Sequence, residues 1–177
     1  MKNHKYILFF LLIIPLKTLA QNKNHYIGIN PNVTVEPFYN KGELDINIFQ
    51  FVYQLTVTNR ADLRFTSILN LGIRNNGNDI SHFGLETAIP IFLKKKSDKN
   101  DLSKSFYVSP VISLTRNKIE MHNNIGIWLE PGYNLLFDDK FAMTFGLQIG
   151  GTYFNYDNDI DKWRNHFGVK IIFGKWI

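Results

Sequence analysis

Cysteine is missing from the chain, which excludes disulfide stapling, thiolate metal sites and lipid attachment through an N-terminal thiol. Long apolar runs are missing too: beyond the first twenty residues no stretch approaches the roughly 18 that a membrane-spanning helix needs. Excess charge is scarce. The formal net charge of +5 draws on Lys2, Lys5 and Lys17, and without these three, 17 of the 20 basic residues remain against 15 acidic ones. So thin and scattered a surplus argues against a nucleic-acid partner, which would need a basic face. The five histidines are dispersed, with no two at a metal-ligand spacing, so neither a metal nor a cofactor is expected. There is no phosphate-cradling glycine loop between a strand and a helix either.

What is present begins at the N-terminus. Lys2 and Lys5 precede an apolar stretch from Ile7 to Leu16, and Thr18-Leu19-Ala20 supplies small residues at the spacing a signal peptidase recognises. Residues 1–20 are therefore expected to be a cleaved secretory signal, with Gln21 opening a mature domain of 21–177. The alternative, an uncleaved anchor, has a short apolar run against it. The remainder is long enough for one domain with a real core.

That remainder alternates apolar and polar residues about eight times, the period of a strand with one greasy face. The expected strands are Tyr26 to Glu36, Ile48 to Val57, Leu63 to Arg74, Ser81 to Leu93, Phe106 to Thr115, Asn124 to Leu136, a seventh starting at Phe141, and His166 to Phe173. In the seventh, Phe145, Leu147 and Ile149 oppose Gly146, Gln148 and Gly150. Asn59-Arg60-Ala61-Asp62 and Asn75-Asn76-Gly77-Asn78 punctuate as turns. Lys94 to Ser105 is expected to be a solvated connection.

Two media are implied, and the polar rows say which. A water-facing sheet would be dotted with Lys and Glu, whereas these rows hold mostly Gly, Ser, Thr, Asn and Gln. Glycines at 72, 84, 126, 132, 146, 150 and 168 suit the crowded interior of an eight-stranded barrel. Aromatic residues near strand ends (Phe83, Phe106, Tyr133, Phe141, Tyr153, Phe173) suit interfacial belts. The expected fold is all-β, an eight-stranded antiparallel up-and-down transmembrane β-barrel with its apolar rows outward, because strands in lipid must close on themselves. Four prolines fall inside the strands. Pro90, Pro110 and Pro131 are read as a cluster of rim bulges; Pro31 has no such account.

In these features the chain resembles the small outer-membrane β-barrel proteins of Gram-negative bacteria, the group that includes the eight-stranded OmpA and OmpX types. A local match is to that class's C-terminal insertion signal, carried here by His166, Gly168, Ile171 and Phe173, although Gly174-Lys175-Trp176-Ile177 follow where an aromatic terminus is common. The resemblance implies residence in the outer membrane, contact with its lipid, and insertion by the outer-membrane insertase.

The inward rows contain Arg64, Arg74, His82, Glu86, Glu130, His166 and Lys170, expected to form a polar network plugging the lumen. His82 and Glu86 share a face and could act as acid and base. The plainer reading is mutual neutralisation of buried charge, since no nucleophile or orienting group is forced by the spacing. The His-x-Ser-Asn type motif of barrel-shaped lipid hydrolases is absent. The expectation is a non-enzymatic, monomeric envelope protein of porin-like form, acting structurally or through the loops at Pro37 to Glu43, Arg74 to Ile80, Arg116 to His122 and Asn155 to Trp163. A lipid-modifying enzyme and a soluble lipocalin-like carrier are the alternatives.

Overall fold

Period-two alternation becomes eleven strands in the structure, a computed structural model that describes residues 24–34, 40–96, 102–137, 140–157 and 160–177. The expected signal at 1–20 lies outside the described residues, as do parts of the connections at 35–39, 97–101 and 158–159. The strands are β1 (His25–Ile29), β2 (Val33–Thr34), β3 (Leu44–Asn47), β4 (Phe51–Thr56), β5 (Asp62–Ile73), β6 (Asp79–Ala88), β7 (Ile91–Phe92), β8 (Ser105–Asn117), β9 (His122–Leu136), β10 (Phe141–Tyr156) and β11 (Lys162–Trp176).

Round the sheet, β5 pairs with β4, β4 with β1 and β1 with β11; β10, β9, β8 and β6 follow until β6 returns to β5. All pairings are antiparallel, and the product is a closed eight-stranded barrel. Short β2, β3 and β7 continue the walls of that ring. The seam between β1 and β11 is made by four pairs, Tyr26↔Trp176 to Ile29↔Phe173, and among the described residues β2 pairs with β3 alone. Along β10 the outward Phe145, Leu147 and Ile149 are exposed while Gln148 is buried, the alternation expected from the sequence.

Closure depends on residues beyond the expected eighth strand. The chain continues in register to Trp176, and Gly174, Lys175 and Trp176 pair with Gly28, Ile27 and Tyr26. Trp176 points inward at 1% exposure and packs with Tyr26, Val52, Ala142 and Ile172. The tail after the insertion signal is thus the seam of the barrel.

The prolines act differently from the rim bulges expected. β8 and β9 stay in one register from Ser105↔Asn134 to Asn117↔His122, straight through Pro110 and Pro131. Pro110 still accepts from the Ile89 amide (3.1 Å) where β6 gives way to β7 at Pro90, and Pro90 accepts from the Asp62 amide (3.0 Å). On the other side, β9–β10 pairing lapses between Gly146↔Gly132 and Ile149↔Leu129, opposite Pro131, and resumes without a shift. Each ring removes a ladder donor and leaves a gap. Pro31 likewise sits in the break between β1 and β2. Among the described residues the register shift falls instead between Asn70 and Leu71, opposite Ser81.

Two inward glycines make room for Trp128. A Cβ on Gly126 would lie 1.8 Å from the indole Cζ3, and one on Gly150 would lie 2.3 Å from the Ile127 carbonyl. The indole is held on its other side by His166, stacked at 4.1 Å. Gly126→Val is therefore expected to overpack the lumen and cost roughly 1–3 kcal/mol, read as a lower denaturant midpoint of the refolded protein.

Candidate functional site

Strand parity decides which side chains meet in the lumen. Arg64 on β5, Glu86 on β6, Tyr107 on β8, Glu130 on β9, Gln148 on β10 and Lys170 on β11 all occupy inward positions, and all are buried. Arg64 Nη2 lies 2.5 Å from Glu130 Oε1, and the Tyr107 hydroxyl donates to the same oxygen at 2.7 Å. Lys170 pairs with Glu86 and reaches Glu130 Oε2 at 3.6 Å. Gln148 Nε2 donates to Glu130 Oε2 (2.9 Å) and Glu86 Oε2 (3.2 Å). Two acids face two bases, so the network is neutral as a set, the arrangement burial demands.

His82 and Glu86 do not form the acid–base pair that was entertained for them. Four residues of strand separate them by roughly 13 Å, and each finds another partner. His82 Nδ1 meets Asp45 Oδ2 at 2.9 Å, and its Nε2 faces Asn117 Nδ2 at 3.1 Å. Arg74 Nη2 lies 2.9 Å from the other Asp45 oxygen. Arg74 and His82 thus belong to a second cluster organised by Asp45. His166 stacks on Trp128 and faces Gln148 Oε1 at 3.3 Å. Of the insertion-signal residues, His166 and Gly168 share the lumen row with Lys170, whereas Ile171 and Phe173 are on the outward one.

A third cluster closes the end at which β1 starts and β11 finishes. Lys96 Nζ donates to Asp62 Oδ1 and Thr56 Oγ1, both at 3.0 Å. Gln54 Nε2 (2.7 Å) and Ser103 Oγ (2.5 Å) donate to Asp62 Oδ2, and Asn134 Nδ2 donates to the Ser103 carbonyl at 2.5 Å. Lys94 to Ser105 was expected to be solvated throughout; instead it turns Lys96 and Ser103 into the barrel, because Asp62 is wholly buried there and needs a cation.

Sequence reasoning missed Asp45, Asp62 and Lys96. Asp62 was assigned to a turn although it shares the parity of Arg64, a signal that could have revealed it. Asp45 lies in β3, a four-residue strand hidden behind Gly42, and nothing local marks Lys96.

Above the central network the lumen keeps a cavity of about 190 Å³, lined by Asn30, Thr66, Glu86, Trp128, His166 and Lys170 among others. The central network and the Asp62–Lys96 cluster lie between it and the end at which β1 starts and β11 finishes. The interior is therefore a polar cup with its charges matched in pairs, and among the described residues the two buried hydroxyls that meet carboxylates, Tyr107 on Glu130 and Ser103 on Asp62, belong to the central network and the Asp62 cluster and do not line the cavity.

At the other end, carboxylates tie the loops. Backbone amides of Asn75 and Asn40 hold the Glu43 carboxyl below its usual range. Arg116 does the same for Asp157 through a paired hydrogen bond. Tyr153, Asn155 and the Tyr156 amide do so for Asp161. Carboxyls depressed in the folded state contribute fully above about pH 5, and their contribution fades as pH falls through the lowered folded values. Amide exchange at Asn40, Asn75 and Tyr156, corrected for its intrinsic pH dependence, should therefore quicken on acidification while the barrel strands stay protected.

No family model, curated protein or solved structure matches the chain.

Proposed function

We propose that the chain is an integral outer-membrane protein of a Gram-negative envelope, exported through a cleaved signal at 1–20 and inserted by the outer-membrane insertase. In this reading it acts as a monomer and without catalysis, in a structural or surface-interaction role. One observation carries the proposal: a closed ring whose apolar rows face outward while its charges are paired inside. Ile127, Leu129 and Ile149 are each more than half exposed in mid-strand, and such a belt in water would forgo about 25 cal/mol for every Å² left uncovered. Lipid is the medium that covers it. Aromatic residues collect towards the ends, Phe106 with Tyr133 and Phe137 with Phe141 at one, Tyr153 with Trp163 at the other, as interfacial girdles do.

With the termini in the periplasm, the connection after β7 is periplasmic. The loops at 37–43, 74–80, 116–122 and 155–163 are then extracellular and carry the interaction role; their shortness argues against a large adhesin. A lipocalin-like carrier would line its interior with the apolar rows, and the lumen holds Arg64, Glu86, Glu130 and Lys170 instead. Porin-like conduction is not expected past the central network, so planar bilayers containing the protein should show no steady current.

Gel migration of the detergent-extracted protein tests the membrane barrel. The unheated form is expected to run ahead of the boiled one, since closed barrels resist unfolding until heated, and recovery in a soluble periplasmic fraction would overturn the proposal. For the enzyme alternative, mass spectrometry of lipid A with and without the gene should show no difference.

A further inference from the structure

Three consecutive lysines follow β7, and the fold treats them differently. Lys96 is buried against Asp62, whereas Lys94 and Lys95 stay exposed. The β7–β8 pairing of Phe92 with Tyr107 continues beyond the strand through the Leu93 amide to the Phe106 carbonyl at 2.9 Å. The Lys94 amide then reaches Ser105 Oγ at 3.2 Å. This register sets Lys94 beside the arm that bears Lys104, and both lysines line one shallow groove of about 420 Å³ with Leu93, Ser105, Phe106 and Tyr133. No acidic side chain among the described residues pairs with either lysine.

The floor of the groove is apolar and open. Leu93 and Phe106 are 68% and 62% exposed, and the Tyr133 ring stands edge-on to Phe106 at 4.6 Å. On the barrel wall the same outward rows continue as Ile91 and Val108, paired across β7 and β8. We propose that this groove binds an anionic phospholipid, its phosphate between the Lys94 and Lys104 ammonium groups near the Ser105 hydroxyl and an acyl chain along Phe106 and Val108.

Charge and shape select this occupant. Two cations with no acid paired to them among the described residues call for an anion, and an apolar furrow running on into the belt calls for one with a hydrocarbon chain, which inorganic phosphate lacks. Attraction of an exposed lysine to an anionic bilayer surface amounts to roughly five-fold in affinity for each residue. The inference rests on the membrane location proposed above and adds a headgroup preference to it.

The test is native mass spectrometry of the detergent-solubilised full chain, titrated with phosphatidylglycerol and with phosphatidylcholine of the same acyl chains. Phosphatidylglycerol is expected to be retained at least ten-fold more strongly, and the difference to fall below three-fold in Lys94→Gln/Lys104→Gln. That variant changes exposed positions, and heat-dependent gel migration verifies that its barrel is intact. Equal retention of the two lipids, an unchanged preference in the double variant, or displacement of the lipid by millimolar inorganic phosphate would each overturn the assignment. A chain that inserts into lipid without headgroup preference loses this site alone. A chain that stays soluble without detergent also loses the membrane location.

Discussion

Glu130→Ala is expected to lower the stability of the folded barrel by about 3–5 kcal/mol, the usual cost of deleting one partner from a buried ion pair. Glu130 is fully buried and accepts from Arg64, Tyr107 and Gln148 while also facing Lys170. Removing it leaves two cations against the single carboxylate of Glu86, in a lumen where Arg64 and Lys170 are both buried. The loss comes from the stranded charge more than from the missing contacts, so taking out both partners should be milder. Arg64→Met with Glu130→Met leaves Lys170 paired with Glu86, keeps the lumen neutral and should recover most of the loss. Equilibrium unfolding in urea, from a refolded state in lipid or detergent, measures both. An unchanged midpoint in Glu130→Ala would mean that the network contributes nothing to holding the ring together.

Leu129→Arg combined with Ile149→Arg should abolish membrane assembly. The two positions pair across β9 and β10 and lie on the outward row near the middle of their strands. Arginine near mid-bilayer costs roughly 2–4 kcal/mol per side chain, and here two like charges would also be neighbours on one face. The sum rivals the whole stability of a typical domain. Loss of the fast-migrating unheated band, with the protein moving to aggregates or degradation products, is the expected readout. Normal assembly of this variant would show that the row never meets lipid, and would remove the basis of the membrane proposal. The contrast with Glu130→Ala is useful, because one perturbs the lumen and the other its outer surface.

The rows themselves were legible in the chain. Phe145, Leu147 and Ile149 read as outward, and they are exposed; Arg64, Glu86, Glu130 and Lys170 read as inward, and they are buried. Parity is a local property, set by the geometry of one strand, and eight or more residues of alternation suffice to determine it. For the same reason the turn at Asn75 to Asn78 could be located, with Gly77 at positive φ as such turns require.

Partnership in the lumen could not be found that way. Whether Glu130 meets Arg64, 66 residues away, or Glu86 meets Lys170, 84 residues away, depends on register accumulated from strand to strand round the ring. His82 therefore went to Asp45 instead of Glu86, and Lys96 turned inward to Asp62 from a segment with every local mark of a solvated loop. The prolines at 90, 110 and 131 opened gaps where bulges were expected, because their neighbours' pairing held the register across them. By itself, then, the sequence determined the all-β character, the succession of staves and the facing of each row, all consequences of short-range geometry. Only the tertiary structure decided which charges pair, that the Gly174–Trp176 segment seals the barrel, and which end of the lumen is closed, since these follow from long-range register and from the cost of leaving a buried charge alone.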